Sequence, residues 1–272
     1  MTDRECTKFL QWCLPQLRMR WGGFRKVRRQ VCKRIGRRIG ELELTGAAAY
    51  RAYLEDHPGE WRRLDSLCRV TISRFYRDRA VFDALRTTVL PEIARTALER
   101  GEREVLFWSA GCASGEEAYT LNIIWKCDTE TGALNAPQLR ILATDSDPHL
   151  LERTERGCYT EGSLRELPDD LKRRAFTKTD EGYVIRDEYR KGMEYIEQDI
   201  RRNLPAGPFH LVMCRNLVWT YFEESLQREL LYRITERLTP VGFLVTGSHE
   251  TLPEKESITL RTRIPPCIYE LR

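Results

Sequence analysis

The sequence contains no CxxC pair, and its nine cysteines, at 6, 13, 32, 68, 112, 127, 158, 214 and 267, are odd in number and scattered. That distribution predicts reduced thiols and excludes both a zinc ribbon and a disulfide framework as the source of stability. Histidine is scarce as well: four residues, at 57, 149, 210 and 249, with no ligand-like spacing, so no metal centre is expected. No run approaches the roughly 18 apolar residues of a membrane helix. Met1 to Phe9 is charged where a signal peptide is apolar, so the chain reads as cytoplasmic and without membrane insertion. Also missing are internal repeats, low-complexity stretches and any Pro/Gly/Ser-rich linker, which leaves domain boundaries soft.

What is present is enough for a sizeable core: 272 residues, of which 41% are hydrophobic and 32% charged, the balance of a globular chain. The charge is unevenly placed. Residues 18 to 38 hold ten cations (Arg18, Arg20, Arg25, Lys26, Arg28, Arg29, Lys33, Arg34, Arg37, Arg38) and no acid. Such a run repels itself unless an acidic partner relieves it, and the partner is either nucleic acid or an acidic protein helix. Between the cations, Phe24, Val27, Val31, Ile35 and Ile39 recur at three- and four-residue steps, which predicts an amphipathic helix. Further helices are expected at Ala47 to Leu54 and Trp61 to Cys68, making residues 1–85 a basic helical N-terminal domain.

From about residue 104 short apolar runs alternate with helices: Val105 to Ala110, Leu139 to Thr144, Phe209 to Cys214 and Val241 to Thr246, with helices near 116–127, 148–156 and 224–238. This predicts an α/β fold with a doubly wound, Rossmann-like parallel sheet over residues 86–272. Tyr183-Val184-Ile185 and Tyr189 around Asp180-Glu181-Gly182 predict a small antiparallel β insertion at 176–195. The first strand runs into Gly111-Cys112-Ala113-Ser114-Gly115-Glu116-Glu117, where small residues admit a ligand to the start of a helix. The loop lacks GxGxxG spacing, and its acids would repel a pyrophosphate at that helix end, so a dinucleotide is disfavoured. An acid there suits a ligand amine. Asp145, ending the second strand, is placed to accept from ribose hydroxyls, although a strand-ending Asp equally caps the next helix. A nucleoside with an amino-acid tail satisfies both positions.

Four segments in order resemble the CheR-type methyltransferases that esterify glutamates of chemoreceptors: Val70 to Asp78, Trp108 to Tyr119, Ala143 to Asp147, and Cys214-Arg215-Asn216-Leu217. The resemblance covers nearly the whole chain and implies a class I methyltransferase sheet with S-adenosyl-L-methionine as cofactor. It implies that Thr71, Ser73 and Arg77 reach the cofactor from the linker, with Gly111 in the loop. Glu117 then holds the cofactor amine and Asp145 its ribose, while Asp199, Ile200, Arg215 and Asn216 line the adenine and methionine side. Catalytic roles fall to Arg77 and Tyr221. The chain departs from the family in placing four residues, Leu217-Val218-Trp219-Thr220, before Tyr221-Phe222 where three are usual, and in a shorter turn within the β insertion.

Methyl transfer from a sulfonium needs orientation and water exclusion more than a base, and a glutamate acceptor is already ionised at neutral pH. Three function classes follow, in order: a protein-glutamate O-methyltransferase acting on an acidic helical, chemoreceptor-like substrate through the basic N-terminal helix; a nucleic-acid methyltransferase; and a catalytically silent cofactor-binding signalling module. The expected chain is a monomer.

Overall fold

The computed structural model describes residues 2–129, 136–253, 260–263 and 265–272. The chain divides into a helical unit, residues 1–71 with 217–228, and a sheet unit, residues 72–216 with 229–272. The first boundary therefore falls at 71/72 rather than at 85. The reason is packing: Phe75, Tyr76, Val81, Phe82 and Leu85 are buried in the core under the sheet.

The helical unit comprises α1 (Asp3–Cys13), α2 (Trp21–Phe24), α3 (Arg28–Glu41), α4 (Ala47–Asp56), α5 (Glu60–Cys68), and the later α11 (Val218–Tyr221) with the start of α12 (Glu224–Thr235). Thr2 and Glu5 form a reciprocal capping box that starts α1. Val31, Ile35 and Ile39 bury the apolar stripe of α3, as the periodicity requires. Cys6 of α1 and Cys32 of α3 are joined by a disulfide with Cα atoms 5.9 Å apart. This corrects the expectation that every cysteine is a thiol: helix packing, not sequence spacing, brings the two together. The other seven form no disulfide.

The basic run is also less free than its sequence implies. Arg18 pairs with Glu223 (2.9 Å) and Arg28 with Asp3 (3.0 Å). Arg20 donates to the carbonyls of Trp219 and Thr220, and Arg34 to those of Leu67 and Arg69. Arg38 grips both oxygens of Glu60 at 2.8 and 2.9 Å, and the Tyr50 hydroxyl donates to the same carboxylate at 2.9 Å. Glu60 is only 8% exposed, and the Arg38 guanidinium holds its carboxyl below the usual range. The other five, Arg25, Lys26, Arg29, Lys33 and Arg37, are exposed and form no ion pair among the described residues.

The sheet unit begins with α6 (Arg79–Ala84) and α7 (Leu90–Glu99), then β1 (Glu104–Ala110), α8 (Glu116–Ile124), β2 (Gln138–Asp145) and α9 (Pro148–Arg156). There follow β3 (Cys158–Tyr159), α10 (Asp169–Ala175), β4 (Phe176–Thr179), β5 (Gly182–Ile185), β6 (Met193–Glu197), β7 (Phe209–Met213), β8 (Leu238–Val245), β9 (Leu260–Thr262) and β10 (Ile268–Leu271). Seven strands form one sheet in the order β6-β2-β1-β7-β8-β10-β9. The first five are parallel, and β10 runs antiparallel between β8 and β9. Central strands such as β1 and β2 are buried along most of their length, which is why they read as continuous apolar runs. The small antiparallel sheet, β3-β5-β4, takes in Cys158–Tyr159, while residues 193–195 of the expected insertion belong to β6, which joins the main sheet beside β2. α9 is framed by local signals: Asp147 caps it, Pro148 opens it, and Gly157 at φ 64° closes it.

Candidate active site

Chain order reverses about β1, with β2 on one side and β7 on the other, so the carboxyl ends of these strands open onto the switch-point crevice where open α/β sheets bind ligands. The loop after β1 is tied to the end of β2: the N–H groups of Gly111 and Cys112 both donate to the Thr144 carbonyl, at 2.8 and 3.0 Å. Gly111 adopts φ 73°, a conformation that favours glycine. Gly115, at φ 83°, opens α8 against Thr154, whose methyl would lie 2.2 Å from an added Cβ. Asp145 accepts from the N–H of Ala113 (2.9 Å) and of Asp147 (3.0 Å), and its carbonyl receives the Gln198 N–H (2.8 Å). The acid expected to meet a ribose thus also shapes the loop.

Arg215 occupies the centre of the site. It follows β7, is 7% exposed, and reaches Glu117 (3.2 Å), Asp78 (2.6 Å) and the Arg77 carbonyl (3.1 Å). Glu117 also accepts from the Ser109 hydroxyl at 3.1 Å. Burial pushes the Glu117 carboxyl up against the pull of Arg215. Asn216, at φ 55°, donates its N–H to Glu250 at 2.8 Å, and Glu250 accepts Gly247 N–H as well. Arg77 donates to the Ile72 carbonyl at 2.6 Å and lies between two residues at positive φ, Tyr76 (57°) and Asp78 (63°). Ser73 lies close to the Glu116 carboxylate, which burial pushes up.

The sheet unit thus brings together Ser73, Arg77, Gly111, Glu117, Asp145, Arg215 and Asn216. Ile200 is buried beyond Gln198. Asp199 turns its carboxylate to Arg201, which binds it through backbone N–H, Nε and Nη2 at 3.0, 3.0 and 2.7 Å. Thr71 and Tyr221 belong to the helical unit. There Thr71 is exposed, and Tyr221 sets its ring edge-on to Phe24 at 5.1 Å and accepts the Arg20 N–H on its carbonyl. Sequence reasoning assigned no role to Asp78, Ser109, Glu116 or Glu250. Asp78 lay inside a quoted motif, whereas Glu250 stands 34 residues from the backbone it holds and left no local signal. Among the described residues no group of three or more His, Cys, Asp or Glu side chains is placed to hold a metal ion.

The donor set fits a ligand with an ammonium, a ribose and a carboxylate. Two acids, Asp145 at the end of β2 and Glu117 in the first turn of α8, border the crevice, and Arg215 keeps a buried Nε with no hydrogen-bond partner. Residues 71–264 match the family model described as the CheR methyltransferase, SAM binding domain. The chemotaxis protein methyltransferase of Escherichia coli K12 is 30% identical over 244 residues, covering 86% of this chain and 80% of its own length. That of Listeria innocua is 31% identical over 187 residues, covering 69% and 68%. An uncharacterized 104.1 kDa protein of Rhodobacter capsulatus is 31% identical over 223 residues, so that this chain spans 82% of itself but only 23% of that relative. Among solved structures, N-methyltransferase NodS from Bradyrhizobium japonicum with S-adenosyl-L-homocysteine aligns at a TM-score of 0.32 and 17% identity, over 62% of this chain and 63% of that one. No helix among the described residues is long and apolar enough to cross a membrane. The chain belongs to the CheR family of methyltransferases, and S-adenosylmethionine is its cofactor.

Proposed function

We propose that the chain is a protein-glutamate O-methyltransferase that forms glutamyl methyl esters on an acidic helical signalling protein of the chemoreceptor kind. The observation that carries this reading is the exposed cationic stripe of the helical unit. Arg29, Lys33 and Arg37 follow at four-residue steps along α3, and none of them forms a salt bridge among the described residues. Steps of four residues rise about 6 Å each on a helix, so acids at the same spacing on a substrate helix match them. The five cations already engaged within the unit are not part of that surface.

The bound cofactor supplies an electrophilic methyl group on a sulfonium. The acceptor carboxylate is ionised at neutral pH, so no proton has to move, and the work of the protein is to orient and to exclude water. In this reading Arg77 aligns the acceptor carboxylate, which its planar fork suits, and the Tyr221 hydroxyl adds one neutral hydrogen bond. Glu117 takes the cofactor ammonium and Asp145 the ribose. Ser73, Gly111, Ile200, Arg215 and Asn216 complete the pocket, and Asp199 shapes its wall through Arg201. The test is methyl labelling of a native lysate with the full chain, followed by mild base. Methanol release from a labelled protein is the expected result. Label that stays on protein as N-methyl groups, or that appears in nucleic acid, overturns the reading.

A further inference from the structure

β7 and β8 are parallel neighbours, and the residues that follow them stay together: the Cys214 N–H donates to the Val245 carbonyl at 2.9 Å, just before the two strands give way to Arg215-Asn216 and to Thr246-Gly247. Arg215 is held by its side chain, through Glu117, Asp78 and the Arg77 carbonyl. None of those bonds involves Asn216, whose backbone, at φ 55°, lies where residues other than glycine are uncommon. Such a conformation persists where the surroundings over-determine it. The surroundings here are a short turn. Gly247 to Glu250 closes on itself, the Glu250 N–H donating to the Gly247 carbonyl at 2.9 Å. The Glu250 carboxylate folds back over the same turn, and its Oε2 accepts the Gly247 N–H at 2.7 Å. That oxygen also accepts the Asn216 N–H, at 2.8 Å. One carboxylate oxygen therefore ties two loops together through charge-assisted bonds, which are roughly twice as strong as neutral ones.

Gly247 completes the clamp. It is buried, and a Cβ on it would stand 2.9 Å from Asn216 Oδ1, 3.0 Å from Asn216 Cγ and 2.9 Å from Glu250 Oε2. The Asn216 carboxamide thus lies against bare backbone, and an alanine at 247 would displace it or the carboxylate. The two bonds inside the turn do not involve Asn216, so the acceptor stands ready independently of what it holds. We infer that Glu250 is a positioning residue for the cofactor site: it keeps Asn216 in the left-handed conformation and, with Gly247, fixes the Asn216 carboxamide at the carboxyl end of β7. The inference rests on the assignment of Asn216 to the cofactor and is independent of the methyl acceptor.

The experiment is calorimetric titration of the full chain with S-adenosylhomocysteine, at a temperature where the recorded melting curves show every variant folded. Glu250→Ala is expected to weaken binding about tenfold, the scale of one hydrogen bond to a charged group. Glu250→Gln keeps an oxygen that accepts from both N–H groups and is expected to bring affinity back to within about threefold of the parent. Asn216→Ala is expected to weaken binding by itself. Added to that variant, Glu250→Ala is expected to cost less than about twofold more, because the carboxamide it positions is gone. Parent affinity for Glu250→Ala, no recovery with Gln, or a loss of more than twofold on adding Glu250→Ala to Asn216→Ala each overturns the inference. If Asn216→Ala leaves affinity unchanged, the assignment of Asn216 falls and the inference with it, while the methanol test of the acceptor stands apart. Should Glu250→Ala fail to fold, Gly247→Ala takes its place, with the same tenfold loss expected and unchanged affinity overturning.

Discussion

Replacing Glu60 with Gln tests whether Arg38 belongs to the architecture of the helical unit rather than to its surface charge. The carboxylate receives two bonds from Arg38 and one from Tyr50. An amide keeps one accepting oxygen, so one partner is left facing an N–H, and the remaining bonds lose their charge assistance. A charge-assisted bond contributes about 1.5 to 3 kcal/mol net. Breaking a fully buried pair costs about 3 to 5 kcal/mol. Arg38 keeps a second carboxylate, Glu41, at 3.2 Å, and its side chain is 24% exposed, so part of the loss is recovered. The expected cost is therefore about 2 to 3 kcal/mol, read as a lower urea midpoint. Glu60 has a folded-state value below its unfolded one. Its stabilisation is therefore complete above the ordinary carboxylate range and lost as pH falls through the folded value. The gap between parent and variant should stay constant from about pH 6 to 8 and close on acidification below about pH 4.5. Arg37→Gln, one position away but exposed and without a carboxylate partner, should stay within about 0.5 kcal/mol of the parent. Equal losses for the two variants, or a gap that widens in acid, would refute the reasoning.

Asp145→Asn should weaken S-adenosylhomocysteine binding by about 1.5 to 3 kcal/mol in calorimetry, because a charged acceptor is lost at the end of β2; unchanged affinity removes Asp145 from the site. Cys6→Ser opens a cross-link between residues 26 apart, and the loop-entropy relation puts the loss at about 3.5 kcal/mol in urea unfolding. The parent with an added dithiol should unfold like the variant, and an unmoved midpoint in reductant would show that the cross-link contributes nothing. Arg77→Lys should lose most turnover at saturating cofactor, whereas Tyr221→Phe, short of one neutral bond of about 1 kcal/mol, should lose about fivefold. The reverse order, measured as methanol release, would give the acceptor to the tyrosine.

The parallel core was legible because buried strands are nearly continuous apolar runs: β1, β2 and β7 stand where Val105, Leu139 and Phe209 begin those runs. β6 was not, since Met193-Glu194-Tyr195-Ile196-Glu197 is only partly buried at the sheet edge and follows the small hairpin without a break in pattern. α1 carries its own local signal, the capping box of Thr2 and Glu5. The cationic run was visible in full, but its division into five engaged and five exposed side chains depends on partners such as Glu223 and Glu60, which no local spacing reveals. In the site, the loop and its acids were legible because they sit where strands hand over to helices. The Arg215 network and the Glu250 clamp were not, since each joins residues far apart in sequence.

The helical unit borrows residues 217–228 from far along the chain, and this has a consequence for synthesis. Within that unit Gly23 lies against the Thr220 carbonyl so closely that a Cβ would stand 2.2 Å from it, Met19 bridges to Phe222, and Trp219 is 1% exposed. Residues 72–216 emerge from the ribosome between the two pieces. At 5 to 20 residues per second, the first five helices wait on the order of 10 s for their last partner. During that interval Phe24, whose ring later meets Tyr221, has no native cover on that side. A fragment ending at residue 71 would therefore lack that cover on Phe24 permanently.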